Sequence, residues 1–122
     1  MNKKILIVDD SATIRNLLKL ALKLDGYEIA SAIDGQDALE KLGKINVDML
    51  ITDLNMPNMD GRELIRNVRE IPEFANLPII VLSSLSSAKD ISNTMEIGAD
   101  SYVTKPFDNL KLRAEIAKFL KD

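Results

Sequence analysis

The sequence contains no cysteine, no histidine and no tryptophan, and only 4% of its residues are aromatic. Without cysteine no disulfide is available, and without histidine neither His-based catalysis nor His-ligated zinc is possible within these residues. No apolar run approaches the ~20 residues that a membrane-spanning helix needs. Met1 to Lys4 passes directly into a short strand-like run, unlike the core of a signal peptide. These absences lead to the expectation of a soluble, cytoplasmic protein that makes no membrane contact. Basic residues are also in short supply, with 16 Lys and Arg against 19 Asp and Glu and a net charge of −3. A pI near 5.0 argues against bulk nucleic-acid binding, which needs a concentration of cationic side chains to neutralise phosphates.

What remains is an ordinary globular composition, 46% hydrophobic and 29% charged over 122 residues. That length suits one domain, spanning 1–122, able to bury roughly two thirds of its unfolded surface without a disulfide or structural metal. No linker, repeat or low-complexity stretch divides it.

Two kinds of segment alternate along the chain. Ile5 to Val8 and Ile79 to Leu82 are uninterrupted apolar runs rich in β-branched residues, the pattern of strands buried on both faces of a parallel sheet. Val47 to Thr52 is similar, while Tyr27 to Ser31 and Ser101 to Thr104 are weaker. Between them lie helical periodicities. In Ala12 to Leu24 the spacing predicts that Ile14, Leu17, Leu18, Ala21 and Leu24 face the core, with Arg15, Asn16, Lys19 and Lys23 opposite and Gly26 as a C-cap. Ala38, Leu39, Leu42 and Ile45 form a second set, Leu64, Ile65, Val68 and Ile71 a third, and Leu112, Ile116, Phe119 and Leu120 the last. Ala88 to Ile97 is the most polar helix, with only Ile91, Met95 and Ile97 to bury. Five strand-then-helix units in succession predict an α/β domain with a parallel sheet and right-handed crossovers.

Ligands of open α/β sheets bind at the carboxyl ends of the strands. At those ends stand Asp9-Asp10, Asp53, Ser83-Ser84 and Lys105-Pro106. Singly, each has a plain reading: adjacent acids cap helices, serines form loops, and Lys-Pro ends a strand. Together they are more specific. If the first and third strands are neighbours, three carboxylates meet in one crevice, and their repulsion calls for counterions. Lys105 supplies one charge, and the remainder suits a hard divalent cation held by oxygen, in the manner of Mg²⁺.

The segments IVDD, ITDLNMPNMDG, LSS and GADSYVTKPF, at this spacing, make the chain resemble the receiver domains of two-component response regulators, most closely the single-domain, CheY-like chemotaxis type. The resemblance spans the chain and implies a flavodoxin-like, doubly wound (βα)5 fold with a five-stranded parallel sheet in the order 2-1-3-4-5. It implies that Asp53 is the phosphoacceptor and that Asp9, Asp10, Asp53 and the Asn55 backbone carbonyl hold Mg²⁺. Lys105, preceding a cis Pro106, would pair with the acids and then with the phosphoryl group. Ser83 would be the switch hydroxyl and Tyr102 the aromatic switch, with Ser84 a small residue beside them and Gly61 a turn before the third helix. Leu85 stands where the family varies and where chemotaxis regulators often carry a polar or acidic residue, which leads to the expectation of slow self-dephosphorylation.

The donor, on this resemblance, is a separate histidine kinase or phosphotransfer protein, since the chain has no histidine of its own. The output is expected to be a protein target on the fourth helix, fifth strand and fifth helix, around Met95, Tyr102 and Lys118, with no nucleic acid bound and the protein monomeric when unphosphorylated. Chemotaxis or motility signalling is the expected setting. A phosphorelay intermediary and a receiver module from a longer regulator are the alternatives. The chain is not expected to be an enzyme beyond catalysing its own phosphorylation and dephosphorylation. A Mg²⁺-dependent phosphohydrolase of the haloacid dehalogenase type fits poorly, because that family carries D-x-D on its first strand where this chain has Asp9-Asp10-Ser11. Flavin and nucleotide sites cradle phosphate with Gly, Ser and Thr loops, whereas this loop opens with two acids.

Overall fold

A computed structural model describes residues 2–120. Strands β1 (Lys4–Val8), β2 (Glu28–Ala32), β3 (Met49–Thr52), β4 (Ile79–Ser83) and β5 (Ser101–Thr104) alternate with helices α1 (Ala12–Lys23), α2 (Gly35–Leu42), α3 (Gly61–Glu70), α4 (Ala88–Glu96) and α5 (Asn109–Leu120). A short 3₁₀ turn, Pro72–Phe74, follows α3. Every strand pairing is parallel, and the sheet order is β2-β1-β3-β4-β5, the flavodoxin-like order implied by the resemblance.

The three central strands are covered on both faces, which is why their sequences read as unbroken apolar runs. The edge strands β2 and β5 keep partly exposed positions, which explains their weaker pattern. Successive residues serve opposite layers. Leu6 and Val8 join Leu50, Val81, Leu64, Ile65 and Val68 beneath α2 and α3, while Ile5 and Ile7 join Ile51, Leu82, Leu18, Leu22 and Ile116 beneath α1 and α5. Each fully buried Leu or Ile stabilises the fold by roughly 1.5–3 kcal/mol.

Helix α1 departs from the face expected of it. Leu18 and Leu22 are buried, whereas Leu17 and Leu24 are 52% and 87% exposed. Residues four apart stack on one side of a helix, while Leu17 is turned by about 100° from Leu18 and points away from the sheet. The helix ends as expected. Gly26, at φ +87, lets its own N–H reach Lys23 O and the Tyr27 N–H reach Leu22 O, a Schellman closure. Helix α4 buries only Thr94, whose hydroxyl donates to Asp90 O at 2.7 Å, and Met95 lies outside. In α5, Phe119 is likewise on the exposed side.

Helices α1 to α4 begin at a side-chain cap in which Ser11, Asp34, Asp60 and Ser87 each accept the N–H three residues on, and ahead of α5 Asp108 Oδ1 accepts the Leu110 N–H at 2.9 Å. These starts lie just beyond the carboxyl ends of the strands, the edge at which the unusual polar residues gather.

Candidate functional site

Strand β1 delivers Asp9 and Asp10, and its neighbour β3 delivers Asp53. The β1–β3 register pairs Val8 with Thr52, so the acids that follow emerge side by side. The Asp53 N–H donates to Val8 O at 3.0 Å, fastening the two strand ends together. One carboxylate oxygen from each of Asp9, Asp10 and Asp53 lies within 4.8 Å of the others. Asp9 is buried, Asp53 partly so, and Asp10 opens to solvent.

Lys105, just beyond β5, reaches across this group. Its Nζ is 3.0 Å from Asp9 Oδ2 and 3.5 Å from Asp53 Oδ2. The Lys105 N–H donates to Ser83 O at 2.8 Å, which ties the end of β5 to the end of β4, and the Lys105–Pro106 peptide is cis. The other Asp9 oxygen accepts the Ser11 N–H at 2.9 Å, and Asp53 Oδ1 accepts the Leu54 N–H at 2.8 Å. Burial raises the Asp53 carboxyl above the ordinary carboxylate range, Lys105 and the Leu54 N–H pull it back, and Asp9 pushes it further up. The crevice therefore holds more negative charge than one ammonium compensates.

Ser83 is fully buried, and its Oγ accepts the Leu85 N–H at 3.2 Å. The Tyr102 hydroxyl donates to Leu85 O at 2.6 Å, with its ring packed on the α2–α3 core beside Leu85. Leu85 is thus bonded through its N–H to one expected switch residue and through its carbonyl to the other. Ser84 and Pro106 are exposed, and Asn55 is exposed on the loop after β3.

The donor set fits Mg²⁺. Three carboxylates on two adjacent strands offer hard oxygen ligands in one small space, with the exposed side of Asp10 leaving room for water. Among the described residues this is the one cluster of acids able to hold a metal.

This arrangement has known counterparts. Residues 5–117 match the response regulator receiver domain. The chain belongs to that family. Receiver domains are signalling modules of two-component systems, and their phosphoryl donor is a histidine kinase or phosphotransfer protein. The chemotaxis protein CheY4 of Vibrio cholerae superposes with a TM-score of 0.93 at 34% identity, covering 98% of this chain and all of CheY4. A response regulator receiver protein from Pseudomonas putida superposes with a TM-score of 0.90 at 33% identity, covering 97% of this chain and 98% of that one. The transcriptional regulatory protein TrcR of Mycobacterium tuberculosis is 36% identical over 118 residues, which are 97% of this chain and 45% of TrcR. The ycf27 protein of Porphyridium aerugineum is 37% identical over 119 residues, 98% of this chain and 48% of that protein. The chain thus spans about half the length of these curated relatives.

Three features of the receiver were not read from the sequence. Arg15, assigned above to the solvent side of α1, turns back so that its guanidinium donates to Asp9 O at 2.6 Å. Gly61 does not make a turn: it opens α3 directly beneath Asp53, and a Cβ there would stand 2.0 Å from Asp53 O. The residue with positive φ in that loop is Asn58, at +67. The only signal for Gly61 was a glycine directly after the capping Asp60, which spacing alone does not distinguish from a turn glycine.

Proposed function

We propose that this receiver accepts a phosphoryl group on Asp53 from a phosphohistidine of a separate kinase or phosphotransfer protein, in a Mg²⁺-dependent reaction, and thereby switches a protein-binding surface. The observation that carries this reading is the Lys105 ammonium set between Asp9 and Asp53 in a strand-end crevice. In this role a carboxylate oxygen of Asp53 attacks phosphorus as the P–N bond to imidazole breaks. The electron pair leaves with the imidazole nitrogen, which is then protonated.

Asp9, Asp10, Asp53 and the Asn55 carbonyl would hold Mg²⁺, which when bound neutralises charge on the transferring phosphoryl oxygens. Lys105 serves the same charge from the other side, exchanging its contact with Asp53 for a phosphoryl oxygen. The Ser83 hydroxyl is buried at the end of β4 with its proton free to be donated, since its bond to Leu85 is an accepted one. Turning toward a phosphoryl group on Asp53 would weaken that bond, and Leu85 O also carries Tyr102. That linkage gives a route from the crevice to the α4–β5–α5 face, where Met95 and Lys118 are exposed. A tenfold gain in target affinity needs only ~1.4 kcal/mol of such coupling.

Output by protein contact in a chemotaxis or motility pathway is the setting supported by the end-to-end likeness to CheY4. Transcriptional output is the second reading, favoured by the match to 45% of the transcriptional regulatory protein TrcR. Among the described residues no helix is long and apolar enough to cross a membrane, in keeping with a cytoplasmic role. The test is intact-mass spectrometry after incubation with acetyl phosphate. One phosphoryl adduct is expected in wild type with Mg²⁺, and none with a chelator or in Asp53→Asn. Multiple adducts, or catalytic hydrolysis of a phosphate monoester with no adduct left on Asp53, would contradict the reading.

A further inference from the structure

Beyond β3 the chain leaves the core quickly. Leu54 is buried, but Asn55, Pro57 and Asn58 are all exposed, and only Met56 and Met59 rest against apolar side chains. The loop also contains an unfavourable turn. The Met59 N–H donates to Pro57 O at 2.8 Å about Asn58 at φ +67, a γ-turn through a left-handed residue. Such turns are rare and strained, and they persist when surrounding contacts over-determine them.

Those contacts come from the corner between β2 and α2. Asn58 Nδ2 donates to Asp34 Oδ2 at 2.7 Å, and the Gly35 N–H donates to Met59 O at 3.1 Å. Asp34 is 5% exposed, and its second oxygen accepts the Asp37 N–H at 2.8 Å. The Asp37 N–H and the Asn58 amide hold the Asp34 carboxyl below its ordinary range, as a charge-assisted bond requires. The corner fits the loop closely: a Cβ on Gly35 would come within 2.8 Å of Met59 Cγ and Met59 O. The loop is therefore fixed twice, at Asp53 and Leu54 on one side of Asn55, and at Asn58 and Met59 on the other.

A backbone carbonyl ligand is placed by the dihedrals on either side of it, not by its own side chain. We infer that Asp34 and Asn58, both outside the acidic crevice, are positioning residues for the magnesium site: their hydrogen bond braces the Asn55–Met59 segment and so sets the affinity of the crevice for the ion. This rests on the phosphoacceptor reading above. The plain alternative is that Asp34 only caps α2.

Asn58→Gly separates the two, because glycine keeps the positive φ at ease and leaves the α2 cap intact. Mg²⁺ affinity is measured by titration calorimetry on the metal-free protein, alongside its thermal melt. Asn58→Gly is expected to weaken Mg²⁺ binding roughly tenfold, the scale of lost outer-shell support. Asp34→Asn and Asn58→Asp should each weaken it too. The double exchange Asp34→Asn/Asn58→Asp reverses the bond, keeps a good cap and a residue tolerant of positive φ, and should restore affinity to within about twofold of wild type. Unchanged affinity in Asn58→Gly, or a double exchange no better than its single members, would overturn the inference while leaving the phosphoacceptor reading intact. Absence of any Mg²⁺ binding by wild type would overturn both.

Discussion

Asp53 is expensive to ionise in the absence of a divalent cation, because burial outweighs what Lys105 and the Leu54 N–H return. A group whose folded pKa is raised keeps its proton to higher pH than the unfolded chain, whose reference is 3.8 here. Native protein then binds more protons between that value and the raised one, so its stability falls as pH rises through the window. Asparagine has no such cost. Asp53→Asn should therefore melt at a higher temperature than wild type at neutral pH in chelator, with the advantage disappearing below about pH 3.8. A lower melting temperature at neutral pH would mean that the ion pair with Lys105 dominates instead. Leu85 bears on the lifetime of the modified state. Its apolar side chain packs against the α2–α3 core rather than offering a polar group to water. Loss of the phosphoryl group should be several-fold faster in Leu85→Glu, followed by the decay of the intact-mass adduct, and equal rates would refute this.

At the scale of the element, α1 shows how far periodicity carries. The leucines at 17, 18, 20, 22 and 24 permit more than one apolar face, and only the position of the helix axis over the sheet decides among them. Leu22 is fully buried and Leu20 is 68% exposed. Urea unfolding should show Leu22→Ala costing about 3 kcal/mol and Leu20→Ala within about 0.5 kcal/mol of wild type. Similar losses would show that both side chains pack. Helix α4 is the opposite case. Its polar composition pointed to a weakly held element, and it buries a single side chain, that of Thr94, which no apolar pattern marks. An element with so little buried apolar surface opens at low cost, which suits the face proposed for output.

For the whole molecule, strand–helix alternation was legible because central parallel strands are apolar throughout and edge strands less so. The acids were legible because Asp53 interrupts an apolar run and Asp9-Asp10 ends another. The supports of the site were not. Asn58 on Asp34 joins loops that meet only because β2 and β3 flank β1, while Arg15 on Asp9 O and Gly61 under Asp53 depend on how each loop folds back over its own strand end. No local pattern encodes such distances. The sheet order itself came from resemblance, since alternation specifies parallel strands but not which are neighbours.

The central claim is that Asp53, among all the carboxylates of the chain, is the one made nucleophilic by this crevice. An acyl phosphate is reduced by borohydride to the alcohol, which marks the modified aspartate as homoserine. After treatment with acetyl phosphate and Mg²⁺, reduction and tandem mass spectrometry should find homoserine at position 53 alone. Homoserine at Asp9 or Asp10, or an aspartate at 53 left unreduced in protein that carries the phosphoryl adduct, would contradict the account.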